Sequence, residues 1–568
     1  VFDAKAIDTV QGADLSRLLE HVPGVTLSRN GGLGSVTSLF VRGASSEQTL
    51  VLLDGVRQTD VASPSGGTDL GTQALGALGK VELLRGSNSV VWGSDALGGV
   101  LALTSRQFTG LEASVEGGSH GTFNGDATAG IDGKQGAISL TGGYTTTRGI
   151  STAAVGTELD SYRQARVAGA GHFNLTGELG VVASARYAWS HVEIDGFPAP
   201  SFIFADTPEY QVSTQASGRV GMRYRGGNLD LDAGYALSDT RRSYFDPTFG
   251  SAPNYNTAGR SERADLTGRL RLPDDLALDF GVDSERTKFS TAFDPEQTVR
   301  LSSGHALLGW YTYNATLAGG VRIDEHSRFG THVTLGANGS VRLGDNIRLT
   351  TSFGEGFKAP TLYQLYSVYG QLTLQPERSR SYDAGIAFGG SRDSFHLGLT
   401  AFRRDSRNLI DFVTCNGCLF GFGYVNVGKA RAEGIEAEAS LRPADNFTVS
   451  AVYTYLKATN RTPGNANLDK DLPRRPRNAL TLSADWTTPW AMLALGADLQ
   501  LASHGFDDAA NRTRLDGYQL ATLRAKLPLG ERYELFARVE NLFDAMYQTV
   551  AGYGTYGRSA YAGARFRW

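Results

Sequence analysis

Val181-Val182-Ala183-Ser184-Ala185-Arg186-Tyr187-Ala188-Trp189-Ser190 reads as two interleaved series. Side chains in a strand alternate sides, so Val181, Ala183, Ala185, Tyr187 and Trp189 share one face and Val182, Ser184, Arg186, Ala188 and Ser190 the other. The first face is apolar and ends in aromatics, while the second is small or polar. A strand reads this way when lipid lies outside it and a wet lumen inside. The pattern recurs at Phe447, Val449, Ala451, Tyr453 and Tyr455 against Thr448, Ser450 and Thr454, and at Leu480, Leu482, Ala484 and Trp486 against Thr481, Ser483 and Asp485. A soluble sandwich alternates in a similar way, so connection lengths carry the distinction. Membrane barrels set short turns on one side and long loops on the other. Pro273-Asp274-Asp275, Gly344-Asp345-Asn346 and Pro443-Ala444-Asp445-Asn446 are short, whereas Asp195 to Tyr210, Ser243 to Arg263, Val413 to Gly434 and Arg461 to Arg477 are long. The asymmetry favours a membrane barrel.

Composition points the same way. Glycine is 71 of 568 residues, about 12% against a usual ~7%, with 23 Tyr and 27 Phe. Glycine weakens helices and supplies turns, and aromatics suit pleated surfaces. The net charge of −4 provides no field to hold a nucleic-acid backbone. No run approaches the ~18 apolar residues of a spanning helix, yet the mean hydropathy of −0.22 suits a barrel whose strands alternate. Val1 is not preceded by a basic and apolar leader, so any secretory signal is expected to have been removed.

Residues 1–106 lack the alternation and read as an α+β unit. Asp14 can cap a helix carrying Leu15, Leu18, Leu19 and Val22 on one face, ended by Pro23-Gly24. Leu39-Phe40-Val41 and Leu50-Val51-Leu52-Leu53 read as buried strands, the second closed by an Asp54-Gly55 turn. About 462 residues follow, enough for roughly 22 strands at ~21 residues per strand and connection. Barrels of that width are plugged. The expected fold is therefore a membrane all-β protein, a 22-stranded antiparallel transmembrane β-barrel (107–568) occluded by an N-terminal α+β plug (1–106). Ala560, Ala562, Ala564, Phe566 and Trp568 on one face, with Arg565 and Arg567 on the other, suit the closing strand.

An ordered set of motifs carries a resemblance. It comprises Phe40-Val41-Arg42-Gly43, Val51 to Arg57, Val81-Glu82-Leu83-Leu84-Arg85-Gly86 and Trp92 to Val100 in the first unit. It continues with Gly356 to Tyr366, Leu374-Gln375-Pro376-Glu377 and Val539-Glu540-Asn541-Leu542-Phe543-Asp544. Over nearly its whole length the chain resembles the TonB-dependent outer-membrane receptors, most of all those for cobalamin (vitamin B12). The resemblance implies active uptake of a scarce ligand across the outer membrane of a Gram-negative bacterium, driven by TonB with its inner-membrane energising complex. It also implies contact with lipid and lipopolysaccharide, and a monomer. Val1 aligns a few tens of residues inside the usual mature start, so the segment that engages TonB is expected to lie outside this chain. By family position, Arg42 and Arg85 face barrel carboxylates, matched here by Asp383 and Glu436, and so form a releasable latch; the family usually has Glu where Asp383 stands.

The likeness to cobalamin receptors is strongest at Glu325 to Gly330, Lys358 to Tyr369 and Asn426 to Arg431. The segment Gln58 to Asp69 corresponds to an apical loop that touches ligand, which makes Gln58, Thr59, Asp60, Ser63 and Ser65 candidate binding residues. Tyr244, Tyr363, Tyr366 and Tyr369 are candidates for stacking on a ligand, although girdle or packing roles account for tyrosines equally well. Cobalamin receptors often order their outer loops with calcium. Glu158, Asp160 and Asp206 fall at comparable places, while other positions of that cluster read Ser or Arg. Ferric siderophores are the alternative ligand. Haem is disfavoured because no His lies between Pro360 and Pro376.

Cys415 and Cys418 form a Cys-x-x-Cys with too few neighbouring ligands for zinc and no thioredoxin-like context. A local disulfide in an oxidising compartment is expected. Neither Gly-x-Ser-x-Gly nor His-Glu-x-x-His occurs, and Gly31-Gly32-Leu33-Gly34 lacks the setting of a nucleotide loop, so no enzyme and no catalytic cofactor are expected. A passive porin or adhesin would fit the barrel pattern, but it has no use for the first 106 residues.

Overall fold

The computed structural model describes residues 1–568 apart from Pro64, Ser65, Ser391, Arg392, Asn416, Trp490 and Ala491. Among the described residues, 22 antiparallel strands close into one barrel. The chain seals it by pairing Ser559–Arg567 with the first barrel strand, Gly110–Gly118, in the register Arg567 to Glu112. The strands obey the alternation that announces them. In Leu179–Glu193, Tyr187 is exposed on the lipid face while Ala188 and Ser190 are buried inside. No helix among the described residues is long and apolar enough to cross a membrane.

Short turns, such as the one between Tyr210–Gly226 and Leu229–Phe245, lie at one end of the barrel. The longer connections, 194–209, 359–376 and 461–477, lie at the other. Two expected loops are shorter than their sequence suggests. Leu229–Phe245 and Tyr255–Arg271 leave only 246–254 between them, and Phe395–Thr414 and Phe422–Ala444 leave only 415–421. These strands keep pairing beyond the lipid, where both faces are wet and alternation is lost, so periodicity cannot report them.

The N-terminal unit fills the lumen. Its sheet runs Phe2–Asp3, Leu78–Arg85, Gly99–Ser105, Thr49–Leu53, Val56–Arg57, with a separate hairpin of Val25–Arg29 and Thr37–Val41. The last of these strands in the chain ends at Ser105, and the barrel starts at Gly110. Leu15, Leu18, Leu19, Leu39, Val51 and Leu101 are the centre of its core. The expected helix around Leu15 shrinks to one turn, Ser16–Leu19, with Asp14 Oδ1 accepting from Ser16 N at 2.9 Å. A helix over Ala4–Val10, capped by Asp3, precedes it; seven residues are too few for its period to stand out in sequence.

Candidate functional site

The plug meets the wall most intimately at the turn after Thr37–Val41. Arg42 and Gly43 both have positive φ, at 49° and 72°, and Ala44 N closes the turn on Val41 O at 2.8 Å. Two successive positive φ values define a tight hairpin-type turn that favours glycine. A Cβ on Gly43 would stand 3.2 Å from the Cβ atoms of both Ala432 and Ala458, so a side chain there would press into the wall. The Arg42 side chain is thereby aimed at Glu436. Its Nε and Nη2 donate to the two oxygens of that carboxylate at 2.8 and 2.9 Å, and its Nη1 donates to Asp383 Oδ2 at 3.0 Å. Arg85 Nη1 reaches Glu436 Oε2 at 2.7 Å. Gly24 makes room, since a Cβ there would lie 2.0 Å from Glu436 Oε1. All four residues expected at the latch therefore belong to one network, with Arg42 bonded to both acids and Arg85 joined through Glu436. Asp383, one methylene shorter than the family's glutamate, still reaches Arg42 and also accepts from Ser352 Oγ at 2.7 Å. Glu436 is 2% exposed and serves two guanidinium groups, an arrangement that costs several kcal/mol to break from one side.

Further contacts follow the same wall. Gln48 Nε2 donates to Glu377 at 2.8 Å, Gly24 N to Thr454 Oγ1 at 2.8 Å and Thr481 Oγ1 to Glu20 O at 2.8 Å. Arg524 Nη1 donates to Thr9 O at 2.8 Å, Arg17 pairs with Glu540, and Arg567 Nη2 bonds Asp8 at 2.8 Å.

The apical loop is built on Asp60. Its Oδ1 accepts from Ala62 N at 3.0 Å, its carbonyl from Ser63 N at 3.1 Å, and its carboxylate pairs with Arg242. Asp60 is thus a buried strut and not a group offered to ligand. Sequence reading missed Arg242, although it stands in the lumen phase of Leu229–Phe245, where a charge needs a partner. Gln58 Nε2 turns back to Val56 O at 3.2 Å, and Gln58 O accepts from Thr68 Oγ1 at 3.1 Å. Gln58, Thr59 and Ser63 are half-buried. Ser65 lies outside the described residues.

The tyrosines divide. Tyr363 is buried with Phe289, Leu365, Leu374 and Tyr424, and this cluster includes Ala62 of the apical loop. Its ring meets Phe289 and Tyr424 edge-on at 5.9 and 6.1 Å, so it packs against the apical loop as part of a core. Tyr244 and Tyr255 lie 5.7 Å apart, both half-buried. The Tyr366 hydroxyl accepts from Arg328 at 3.1 Å under a cation–π contact of 5.6 Å. Tyr369 packs on Phe412, Phe420 and Phe422 at 5.6–5.8 Å. Nearby, Asn426 exchanges bonds of 2.8 and 2.9 Å with the backbone of Gln375. The stretches 325–330, 358–369 and 426–431 thus come close around one side of the mouth. Cys415 and Cys418 are joined as a disulfide at the tip of the loop beside them.

Among the acids of the outer loops, the carboxylates of Glu158, Asp160 and Asp195 converge, with ligand atoms within 4.8 Å of one another. Asp206 does another job: it accepts from Thr157 N at 2.7 Å and Ser151 Oγ at 3.0 Å and orders the loop beside them. Asp195 takes its place in the cluster while also accepting from Thr207 N at 2.8 Å. Partial desolvation and the neighbouring carboxylates push Glu158 up to about 7. Burial raises Asp160 to about 6 against its bonds from Thr152. An all-oxygen donor set under such repulsion suits a hard divalent cation.

Known proteins share this architecture. Residues 225–542 match the TonB dependent receptor-like beta-barrel family, and residues 1–100 match the TonB-dependent receptor plug domain. A point mutant of the ferric enterobactin receptor PfeA from Pseudomonas aeruginosa superposes with a TM-score of 0.85 at 20% identity, over 100% of this chain and 97% of that one. The siderophore receptor PirA from Acinetobacter baumannii gives 0.83 at 17%, over 100% and 98%. The FrpB iron transporter from Neisseria meningitidis gives 0.84 at 13%, over 100% and 98%. At these identities the solved structures speak for the fold alone, and the cobalamin branch is not among these three. With a closed barrel, an internal plug and a family match over more than half its length, the chain belongs to the TonB-dependent receptors.

Proposed function

We propose that this receptor imports a large, scarce ligand across the outer membrane of a Gram-negative bacterium, with TonB supplying the work. The observation that carries this reading is a barrel wide enough for such a ligand, stoppered by a folded domain that ion pairs hold on one wall. A covalent or apolar seal would have to be destroyed to open. Charged pairs in a lumen can part and re-form, because water solvates each partner once they separate.

We read the ligand as cobalamin. Support comes from the three cobalamin-like stretches, which gather at the mouth, and from the charge there. Arg242 is already matched by Asp60, and Glu158, Asp160 and Asp195 make part of the rim acidic, a poor reception for an anionic ferric catecholate. Calcium held by Glu158, Asp160 and Asp195 would relieve that repulsion and stiffen the loop; no step of uptake is routed through it. Ferric siderophore is the second reading, favoured by the solved relatives, whose names refer to ferric enterobactin, siderophores and iron. Equilibrium binding decides between them. Cyanocobalamin is expected to bind with nanomolar affinity, and more weakly after chelation of calcium. Tight binding of ferric enterobactin with none of cyanocobalamin would replace the first reading by the second.

A further inference from the structure

Three neighbouring strands, Glu377–Phe388, Phe395–Thr414 and Phe422–Ala444, turn a row of unopposed cations outward. Glu377, Ser379 and Ser381 are buried toward the lumen, so Arg378 and Arg380 share the outer face with the exposed Tyr382, Ile386 and Phe388. Residues directly opposite in a ladder lie on the same face. The register sets Arg378 against Arg407 and Arg407 against Lys429, and all three are exposed. With strands ~4.8 Å apart, three positive charges stand within about 10 Å. Like charges directly opposite destabilise a sheet, and no carboxylate stands in this row to relieve them. Arg378 bonds His332 Nδ1 at 3.2 Å, while among the described residues the side chains of Arg407 and Lys429 have no ion-pair partner.

Other rows of the outer face are balanced. One row down, Asp405 stands between Arg380 and Arg431, and below it Arg403 stands beside Glu433. Farther round the barrel, Asp239 shares a row with Arg260 and Lys288, and Glu262 shares one with Arg286 and Arg300. The unrelieved row also has a defined height. Phe388 and Phe395, whose rings meet at 5.9 Å beside the connection at 389–394, mark the far edge of the membrane. The ten residues from Phe388 up to Arg378 climb ~25 Å in a strand tilted ~40°, the height of a barrel's apolar band. Arg378, Arg407 and Lys429 thus stand where the charged headgroups of the outer leaflet begin.

Below them the lipid face is hollowed. A groove of about 530 Å³ is lined by Leu317, Ala337, Phe353, Tyr382, Ala384 and Ala401, with Arg403 at its upper edge. Gly339, Thr351, Ala384 and Ala401 stand in one register across four strands, and their small side chains leave the space open.

We propose that this outer face binds one molecule of a phosphorylated, acylated glycolipid of the outer leaflet, with a phosphate shared by Arg378, Arg407 and Lys429 and an acyl chain in the groove. An anion there replaces repulsion by charge-assisted bonds to all three strands. The same strands carry Asp383 and Glu436 on their inner face, so the lipid braces the wall against which the plug is latched. The proposal rests on the outer-membrane placement and on neither reading of the cargo.

Its test uses the intact receptor, stripped of lipid in detergent and titrated with hexa-acyl diphosphoryl lipid A, its dephosphorylated form, phosphatidylglycerol or inorganic phosphate. Bound molecules are counted by native mass spectrometry. Wild type is expected to take up one diphosphoryl lipid A at least ten-fold more tightly than the variant Arg378→Gln, Arg407→Gln, Lys429→Gln, and at least ten-fold more tightly than it takes the other three probes. Arg286→Gln with Arg300→Gln, from a row that has its own acid, is expected to bind within two-fold of wild type. Ala384→Trp, which fills the groove, is expected to weaken the diphosphoryl lipid at least five-fold. Binding by the triple variant within two-fold of wild type overturns the site, and so does an equal loss in the Arg286 and Arg300 variant. Equal affinity for phosphatidylglycerol or inorganic phosphate overturns the glycolipid as its ligand, and undiminished binding by Ala384→Trp overturns the groove. If the triple variant fails to insert, Arg407→Gln alone, at the centre of the row, is expected to lose at least three-fold, and no loss overturns the site. Each outcome is read from lipid and leaves the uptake reading as it stands.

Discussion

The wall from Glu377 to Arg567 and the wall from Leu179 to Tyr311 use the same side chains to opposite ends. Both turn arginines and carboxylates into the lumen. On the first, several pairs cross from plug to barrel, each with at least one partner largely withdrawn from water: Arg42 and Arg85 on Glu436, Arg17 on Glu540, Arg567 on Asp8. On the second, most pairs stay within the barrel and face water, as with Arg225 and Asp232 or Arg269 and Asp279. Partner choice, not residue type, decides where the plug is held and where it stands clear. The energetic contrast is wide, because breaking a buried pair from one side costs ~3–5 kcal/mol and a solvated pair ~0–1 kcal/mol.

The largest effect is therefore expected from Arg42→Glu, which sets a third carboxylate against Glu436 and Asp383. The plug should lose on the order of 3–5 kcal/mol of its hold, and the barrel should conduct several-fold more ions in planar bilayers. Conductance equal to wild type would remove the latch. Next comes a comparison within the latch. Glu436→Gln leaves two guanidinium groups facing a neutral amide, whereas Asp383→Asn weakens one bond of a partly exposed group. The first should cost about 3 kcal/mol and the second about 1 kcal/mol, read from denaturant unfolding of the purified receptor. Equal costs would mean that Arg42 is held by Asp383 as firmly as by Glu436.

How much of this contrast is legible in sequence follows from its range. Lipid-facing alternation in segments such as Val181 to Ser190 is a local signal and marks the spanning strands. It fades where strands outgrow the membrane, as in Phe422–Ala444. The latch residues were legible only through their motifs, since Arg42 and Glu436 are 394 positions apart and no periodicity joins them. Arg242, Asp195 and Arg17 had no motif to mark them, and the motif that contains Glu540 does not point to Arg17. An arginine in lumen phase signals that a partner exists without saying whether the partner sits on the plug, as Asp60 does for Arg242, or two strands along the barrel, as Asp265 does for Arg219. The clearance between plug and wall on the loose side is a property of those choices summed over the seven strands from Tyr162–Asn174 to Gln297–Tyr311, which no single segment carries.

A smaller effect tests the loose side through pH. Burial pushes Asp69, at the foot of the apical loop, up to about 6, against the bonds it accepts from Thr37 N and Gly71 N. The folded plug thus holds this proton more tightly than the unfolded chain does. The stability it contributes is full below about pH 4 and is lost as pH rises through about 6. Moving from pH 7 to pH 5 should strengthen the plug by roughly 1 kcal/mol through this group. Native-state hydrogen exchange of the Thr49–Leu53 strand should register the gain in wild type and a smaller one in Asp69→Asn. Identical pH responses in the two proteins would remove Asp69 from the account.

The smallest expected effect is also the sharpest test of the contrast. Arg269→Ala removes a two-bond pair with Asp279, at 2.6 and 2.8 Å, geometrically as good as the bonds Arg42 makes to Glu436. If geometry alone set the strength of such pairs, this substitution would rival a latch variant. Arg269 is about half exposed, at 47%, so water already screens the pair and takes over each partner when it is broken. Unfolding of the receptor should shift by less than about 1 kcal/mol, and bilayer conductance should not change, because no part of the plug leans on Arg269. A loss comparable to that of Glu436→Gln would mean that the wall from Leu179 to Tyr311 is mechanically coupled to the stopper, and the two sides of the lumen would then not differ in what they hold.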